Sequence, residues 1–122
     1  MTTNRFRVIV AGGREFDKYC LLKERMDYYL ANIDPNSIEI VSGGAKGADS
    51  LGERYAKEKG YLLTIMSSDW NMFGKSAGYI RNSDMAKYAN ACVAFWDGVS
   101  KGTNHMINLS KSEGILLRVV KY

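Results

Sequence analysis

Apolar and β-branched residues gather in five short runs along the chain, at Phe6 to Ala11, Ile38 to Ser42, Leu62 to Met66, Cys92 to Trp96 and Ile115 to Val120. Most are continuously apolar rather than alternating, the pattern of strands in a parallel sheet covered on both faces. Between them the period changes to that of a helix. Over Asp17 to Ile33, the residues Tyr19, Leu22, Met26, Tyr29, Leu30 and Ile33 recur at three- and four-residue steps, with Asp17 as the expected N-cap and Asp34-Pro35 as the stop. Ala48 to Lys59 repeats the period with Ala48, Leu51, Tyr55 and Ala56 inward, and Gly60 ends it. Ile80 to Ala89 and Thr103 to Ser112 are the third and fourth expected helices, the last closed by Gly114.

Strand and helix thus alternate throughout, which predicts an α/β fold: a Rossmann-like, three-layer, doubly wound sheet of about five parallel strands. A length of 122 residues suits one domain, spanning residues 1–122. The long irregular stretch from Ser67 to Tyr79 carries Trp70, Met72 and Phe73 and is expected to act as a lid or a subunit interface.

Composition adds little and excludes more. An apolar fraction of 46% with 25% charged residues is that of an ordinary globular protein. No apolar run approaches the roughly 20 residues needed to cross a bilayer, so no membrane partner is expected. Met1 to Arg7 leads directly into a strand-like segment without an export signal. Cys20 and Cys92 lie in apolar settings at no metal-like spacing, and there is a single His. Both cysteines are expected in the core of a reduced, cytoplasmic protein, with no metal and no resident cofactor. The net charge of +4 comes from scattered residues. It suits an anionic ligand without forming the basic stripe that grips nucleic acid, so nucleic acid is a weaker expectation than a small anion.

Chemistry concentrates where strands end. Three turns are rich in glycine: Gly12-Gly13-Arg14, Ser42-Gly43-Gly44-Ala45-Lys46-Gly47-Ala48-Asp49, and Asp97-Gly98-Val99-Ser100-Lys101-Gly102-Thr103. In a parallel sheet these ends share one edge, where ligands bind at the switch in strand order. Glycine lets backbone amides approach a ligand closely, and helix amino termini present unpaired N–H groups and partial positive charge. Phosphate fits that setting. Lys46 is followed by Gly47 rather than Ser or Thr, so this is not a Walker loop, and the glycine spacing is not that of a dinucleotide fingerprint. Arg14 and Arg81 are the candidate phosphate clamps. Asp49 and Asp97 are candidate ribose ligands, and Trp96 a candidate base-stacking surface.

Taken in order, Val8-Ile9-Val10-Ala11-Gly12-Gly13-Arg14-Glu15-Phe16, the Ser42 to Asp49 turn, Arg81-Asn82-Ser83-Asp84-Met85 and Ala94-Phe95-Trp96-Asp97-Gly98 through Gly102-Thr103 resemble the SLOG superfamily. More narrowly they resemble its small YspA-type and YpsA-related members. The resemblance implies a ligand cleft at these loops. It also implies relatives of several kinds: phosphoribohydrolases that cut the N-glycosidic bond of nucleoside monophosphates, sensors of NAD-derived signals, and a DNA-processing protein that binds single strands. Self-association is common among such relatives, which makes a homo-oligomer the expectation. The resemblance carries over Arg81 as a ligand contact and places Met106 where the phosphoribohydrolases have their catalytic Glu. Met106 cannot serve as acid or base, so Asp97, Asp49, Glu15 and His105 are the remaining catalytic candidates. Three functions stay open at this point: binding of a nucleotide or a derivative such as ADP-ribose, N-glycosidic hydrolysis, and single-strand binding.

Overall fold

The computed structural model describes residues 5–122, apart from the side chains of Trp70 and Lys75. Residues 1–4, the lead into the first strand, lie outside the described residues, as does any role for the Trp70 indole. The elements in chain order are β1 (Phe6–Gly12), α1 (Tyr19–Tyr29), β2 (Ile38–Ser42), α2 (Ala48–Lys59), β3 (Leu62–Ile65), a four-residue α3 (Trp70–Phe73), α4 (Ala77–Tyr88), β4 (Ala91–Trp96), α5 (Lys101–Glu113) and β5 (Leu116–Lys121). The five strands form one sheet in the order β3-β2-β1-β4-β5, with every neighbouring pair parallel.

Alternation along the central strands divides the interior in two. Val8 and Val10 of β1 pack with Leu22 and Met26 of α1 and with Tyr55 and Ala56 of α2. Ile9 and Ala11 point the other way, towards Met85 and Ala86 of α4 and Met106 and Ile107 of α5. Helices therefore cover both faces, giving the three layers expected. Residues such as Ile9, Ile40 and Phe95 are wholly buried, each contributing about 1.5–3 kcal/mol of transfer free energy. The outer strands differ from the expectation of full cover. Leu62 and Ile65 of β3 and Leu116 and Val119 of β5 are exposed, because an edge strand lies beyond the reach of two helices per face.

Three local expectations are corrected. The helix predicted from Asp17 starts at Tyr19, and its N-cap is Lys18, with no side-chain capping bond. Phe16 decides the geometry: its ring is buried against Phe95 and Tyr122, and its N–H bonds Gly13 O at 3.2 Å. The chain is thus pinned into the core before the helix begins. Cys20 is exposed whereas Cys92 is buried. Leu22 faces the sheet, and Cys20, two residues earlier, is turned about 200° around the helix, onto the solvent side. The stretch from Ser67 to Tyr79 is also less irregular than its sequence: it holds α3, a 3₁₀ turn at Gly74–Ser76 and the start of α4, with Met72 and Phe73 exposed.

Candidate functional site

The strand order reverses between β1 and β4, where β1 continues to one side through β2 and β4 to the other through β5. Their register places Gly12 beside Phe95 and Trp96 beside Lys121, so the carboxyl ends are level. A cavity of about 390 Å³ opens there. The three glycine-bearing turns all contribute: Gly12, Gly13 and Arg14 from the first, Gly43, Ala45 and Asp49 from the second, Asp97, Ser100, Gly102 and Thr103 from the third. Arg81 of α4 completes the wall.

The second turn is held by its own side chains. Ser42 Oγ donates to Glu53 Oε2 at 2.7 Å and accepts from Gly44 N at 3.1 Å. Asp49 Oδ2 accepts from Ala45 N at 3.2 Å. Gly47 caps α2 with φ +77°, and a Cβ there would lie 2.2 Å from Gly13 O. The first and second turns meet at this contact, and the Ala48 N–H donates across it to Gly13 O. Ser42, Gly47 and Ala48 therefore form the frame beneath the cleft rather than its wall.

Asp49 is a buried carboxyl in the first turn of α2. Burial pushes it above the usual carboxylate range, against the pull of the Ala45 N–H and the Arg81 and Arg14 guanidiniums. Arg81 is half-buried, and desolvation lowers its proton affinity while Asp49 opposes the change. Its Nη1 donates to Gly43 O at 2.7 Å and its Nε to Asn82 Oδ1 at 3.0 Å. Asn82 Nδ2 then meets His105 Nδ1 at 3.3 Å. Because a guanidinium can only donate, Asn82 must turn its oxygen to Arg81 and its amide NH₂ to His105. His105 Nδ1 is consequently an acceptor, and the ring proton sits on Nε2. Tyr79 packs edge-on against this imidazole at 4.5 Å, and burial lowers the proton affinity of the ring. His105 holds Asn82 from behind and does not itself line the cleft.

In the third turn Asp97 Oδ1 accepts from Ser100 N and Val99 N, both at 2.8 Å, and these bonds hold its carboxyl below the usual range. Its outer face is open to the cleft. Ser100 Oγ and Thr103 Oγ1 lie 3.2 Å apart. The indole of Trp96, the candidate base-stacking surface, donates from Nε1 to Ser100 O at 3.0 Å, with Lys121 Nζ 5.4 Å from its ring centroid. Trp96, Gly98 and Lys101 line neither this cavity nor its neighbour. Gly44 and Lys46 line the neighbouring cavity, beside β3.

Tyr122, Asn82 and Met85 line the cleft without having been candidates, whereas Glu15, a candidate stand-in for the missing Glu, does line it. Tyr122 sits just past the end of β5, and Asn82 and Met85 lie one and four residues after Arg81 on α4. The rule that found the others would have found Tyr122, since every parallel strand ends on this edge. Met106 is buried and forms the apolar floor together with Met85. Among the described residues no group of three or more His, Cys, Asp or Glu could hold a metal ion, and no helix is long and apolar enough to cross a membrane.

A family model, YAcAr, the YspA, cpYpsA-related SLOG family, matches residues 6–73. The Gene 61 protein of Mycobacterium phage D29 is 33% identical over 120 residues, which cover 89% of this chain and 91% of that protein. Among solved structures, DNA processing protein A (DprA) of Streptococcus pneumoniae superposes with a TM-score of 0.75 at 18% identity. The superposition covers 94% of this chain and 50% of DprA, so the chain spans half the length of that protein and shares its fold.

Proposed function

The chain belongs to the YspA, cpYpsA-related SLOG family, and on that premise we propose that the cleft binds a nucleotide or nucleotide-derived ligand, ADP-ribose or an NAD-derived signal included, so that the protein senses or sequesters it. The observation that carries this reading is the meeting of three glycine-bearing turns with Arg14 and Arg81 at the switch point. Neither arginine forms an ion pair among the described residues, and Arg81 spends only Nη1 and Nε on Gly43 O and Asn82 Oδ1, which leaves its Nη2 and the Arg14 guanidinium to an anion. The amino-terminal ends of α2 and α5 add their partial positive charge. Asp97, Ser100, Thr103 and Asn82 supply the acceptors and donors that ribose hydroxyls need, and Met85 and Met106 supply an apolar floor. Titration calorimetry against AMP, ADP-ribose, NAD and cyclic nucleotides tests the reading, with Arg81→Ala as control. Absence of heat at millimolar ligand refutes it.

One pair of groups favours a second reading, cleavage of an N-glycosidic bond. Asp49 and Asp97 line the same cleft, and their surroundings push the two carboxyls in opposite directions, the arrangement that divides acid from base roles. Asp49 would then serve as the proton donor and Asp97 as the carboxylate facing the sugar. Incubation with AMP, followed by detection of free base and ribose phosphate, is the measurement; turnover that survives both Asp49→Asn and Asp97→Asn refutes this assignment.

A further inference from the structure

Beside the cleft lies a second cavity of about 560 Å³, opening towards the segment after β3. Five residues line both: Arg14, Glu15, Gly43, Ala45 and Arg81. The two are therefore lobes of one groove, and both arginines stand at the neck between them. Each lobe alone falls in the range of about 300–1,000 Å³ typical of a small-ligand pocket. A mononucleotide seated in the inner lobe, its phosphate at the neck, leaves the outer lobe empty.

The outer lobe is polar and carries Lys46, Ser67 and Ser68. Ser67 stands at an exposed position on the wall of this lobe. It can both donate and accept, as sugar hydroxyls do. Two guanidiniums at one neck suit two linked phosphates, each able to receive a paired set of N–H bonds. We propose that the outer cavity is a second subsite of this groove. Its ligand is a nucleoside diphosphate carrying a second, polyhydroxylated head: the nucleoside lies in the inner lobe, the diphosphate between Arg14 and Arg81, and the second head against Ser67 and Lys46. The assignment rests on the nucleotide-binding reading above and adds the length and chemistry of the ligand.

Calorimetry with ADP, ADP-ribose and ADP-glucose on the full chain tests it, alongside Ser67→Trp, which places an indole in the outer lobe from an exposed position. A conjugated ligand should bind about tenfold or more tightly than ADP, equivalent to about 1.4 kcal/mol, and Ser67→Trp should bring that ratio close to one. Equal affinity for ADP and both conjugates overturns the subsite while leaving nucleotide binding standing. So does a preference that Ser67→Trp leaves intact. Failure of all three to bind at millimolar concentration overturns the nucleotide reading itself, and the subsite with it.

Discussion

Gly43→Ala separates the ligand cleft from the fold that carries it. The backbone at Gly43 is not in the left-handed region, so alanine meets no torsional barrier there. The new methyl would instead lie 2.7 Å from Arg81 Nη1, 2.8 Å from Asp49 Oδ2 and 2.9 Å from Arg81 Cζ. Ordinary contact begins near 3.4 Å, so the guanidinium must retreat by 3.4 minus 2.7, about 0.7 Å. That retreat stretches the 2.7 Å bond from Arg81 to Gly43 O and draws the cation away from the neck of the groove. A hydrogen bond from the displaced guanidinium to a ligand phosphate contributes about 1.5–3 kcal/mol, and its loss at 1.4 kcal/mol per decade is about a 10- to 150-fold loss of affinity for a phosphate-bearing ligand. Stability should move by no more than about 1 kcal/mol, since the displaced atoms are the far ends of side chains and alanine restricts the unfolded chain. Calorimetry with AMP or ADP-ribose and urea unfolding on one preparation measure both quantities. A stable variant that binds within threefold of the original protein would refute the placement of Arg81 against phosphate.

Gly47→Ala should do the reverse and damage the fold: its φ of +77° and the 2.2 Å approach to Gly13 O combine a left-handed penalty of about 1–2 kcal/mol with a backbone clash, and a urea midpoint equal to that of the original protein would count against it. Ellman titration of the native protein should find one fast thiol, Cys20, and one silent until unfolding, Cys92, whose thiol burial pushes up to about 12; two fast thiols would contradict the burial. Because burial holds His105 below its usual 6.5, the unfolded chain takes up that proton first, so the His105 contribution to stability is complete above about pH 6.5 and declines as pH falls through the folded value. Protonation at Nδ1 also ends the bond to Asn82 and releases Arg81. Ligand affinity should therefore weaken over the same interval in the original protein but not in His105→Gln, as pH-dependent calorimetry would register.

Much of this architecture was legible in the order of residues. Short apolar runs separated by helix-period segments lead to a parallel, doubly wound sheet, because crossover handedness and two-faced burial leave few alternatives. The glycine-bearing turns could be assigned to one edge for the same topological reason. What periodicity could not convey was the extent of cover. Leu62 and Leu116 are as apolar as the residues of β1, yet both are exposed, since strand order rather than hydrophobicity decides which strands become edges. Asp17 looks like a cap, but the burial of Phe16 outweighs a capping bond of about 1 kcal/mol.

Residue order alone specified the fold, the edge that carries the cleft, and Arg14, Asp49, Arg81 and Asp97 as candidates for meeting an anionic, hydroxyl-bearing ligand. Tertiary structure decided which of them meet. It bound the Trp96 indole to its own turn, placed Asn82 between Arg81 and His105, brought Tyr122 into the wall, and joined a second cavity to the first through the two arginines. The physical reason lies in the range of the interactions. Periodicity, turn chemistry and capping act over a few residues and are written locally, whereas a shared guanidinium or an aligned amide depends on segments that only the folded sheet sets side by side.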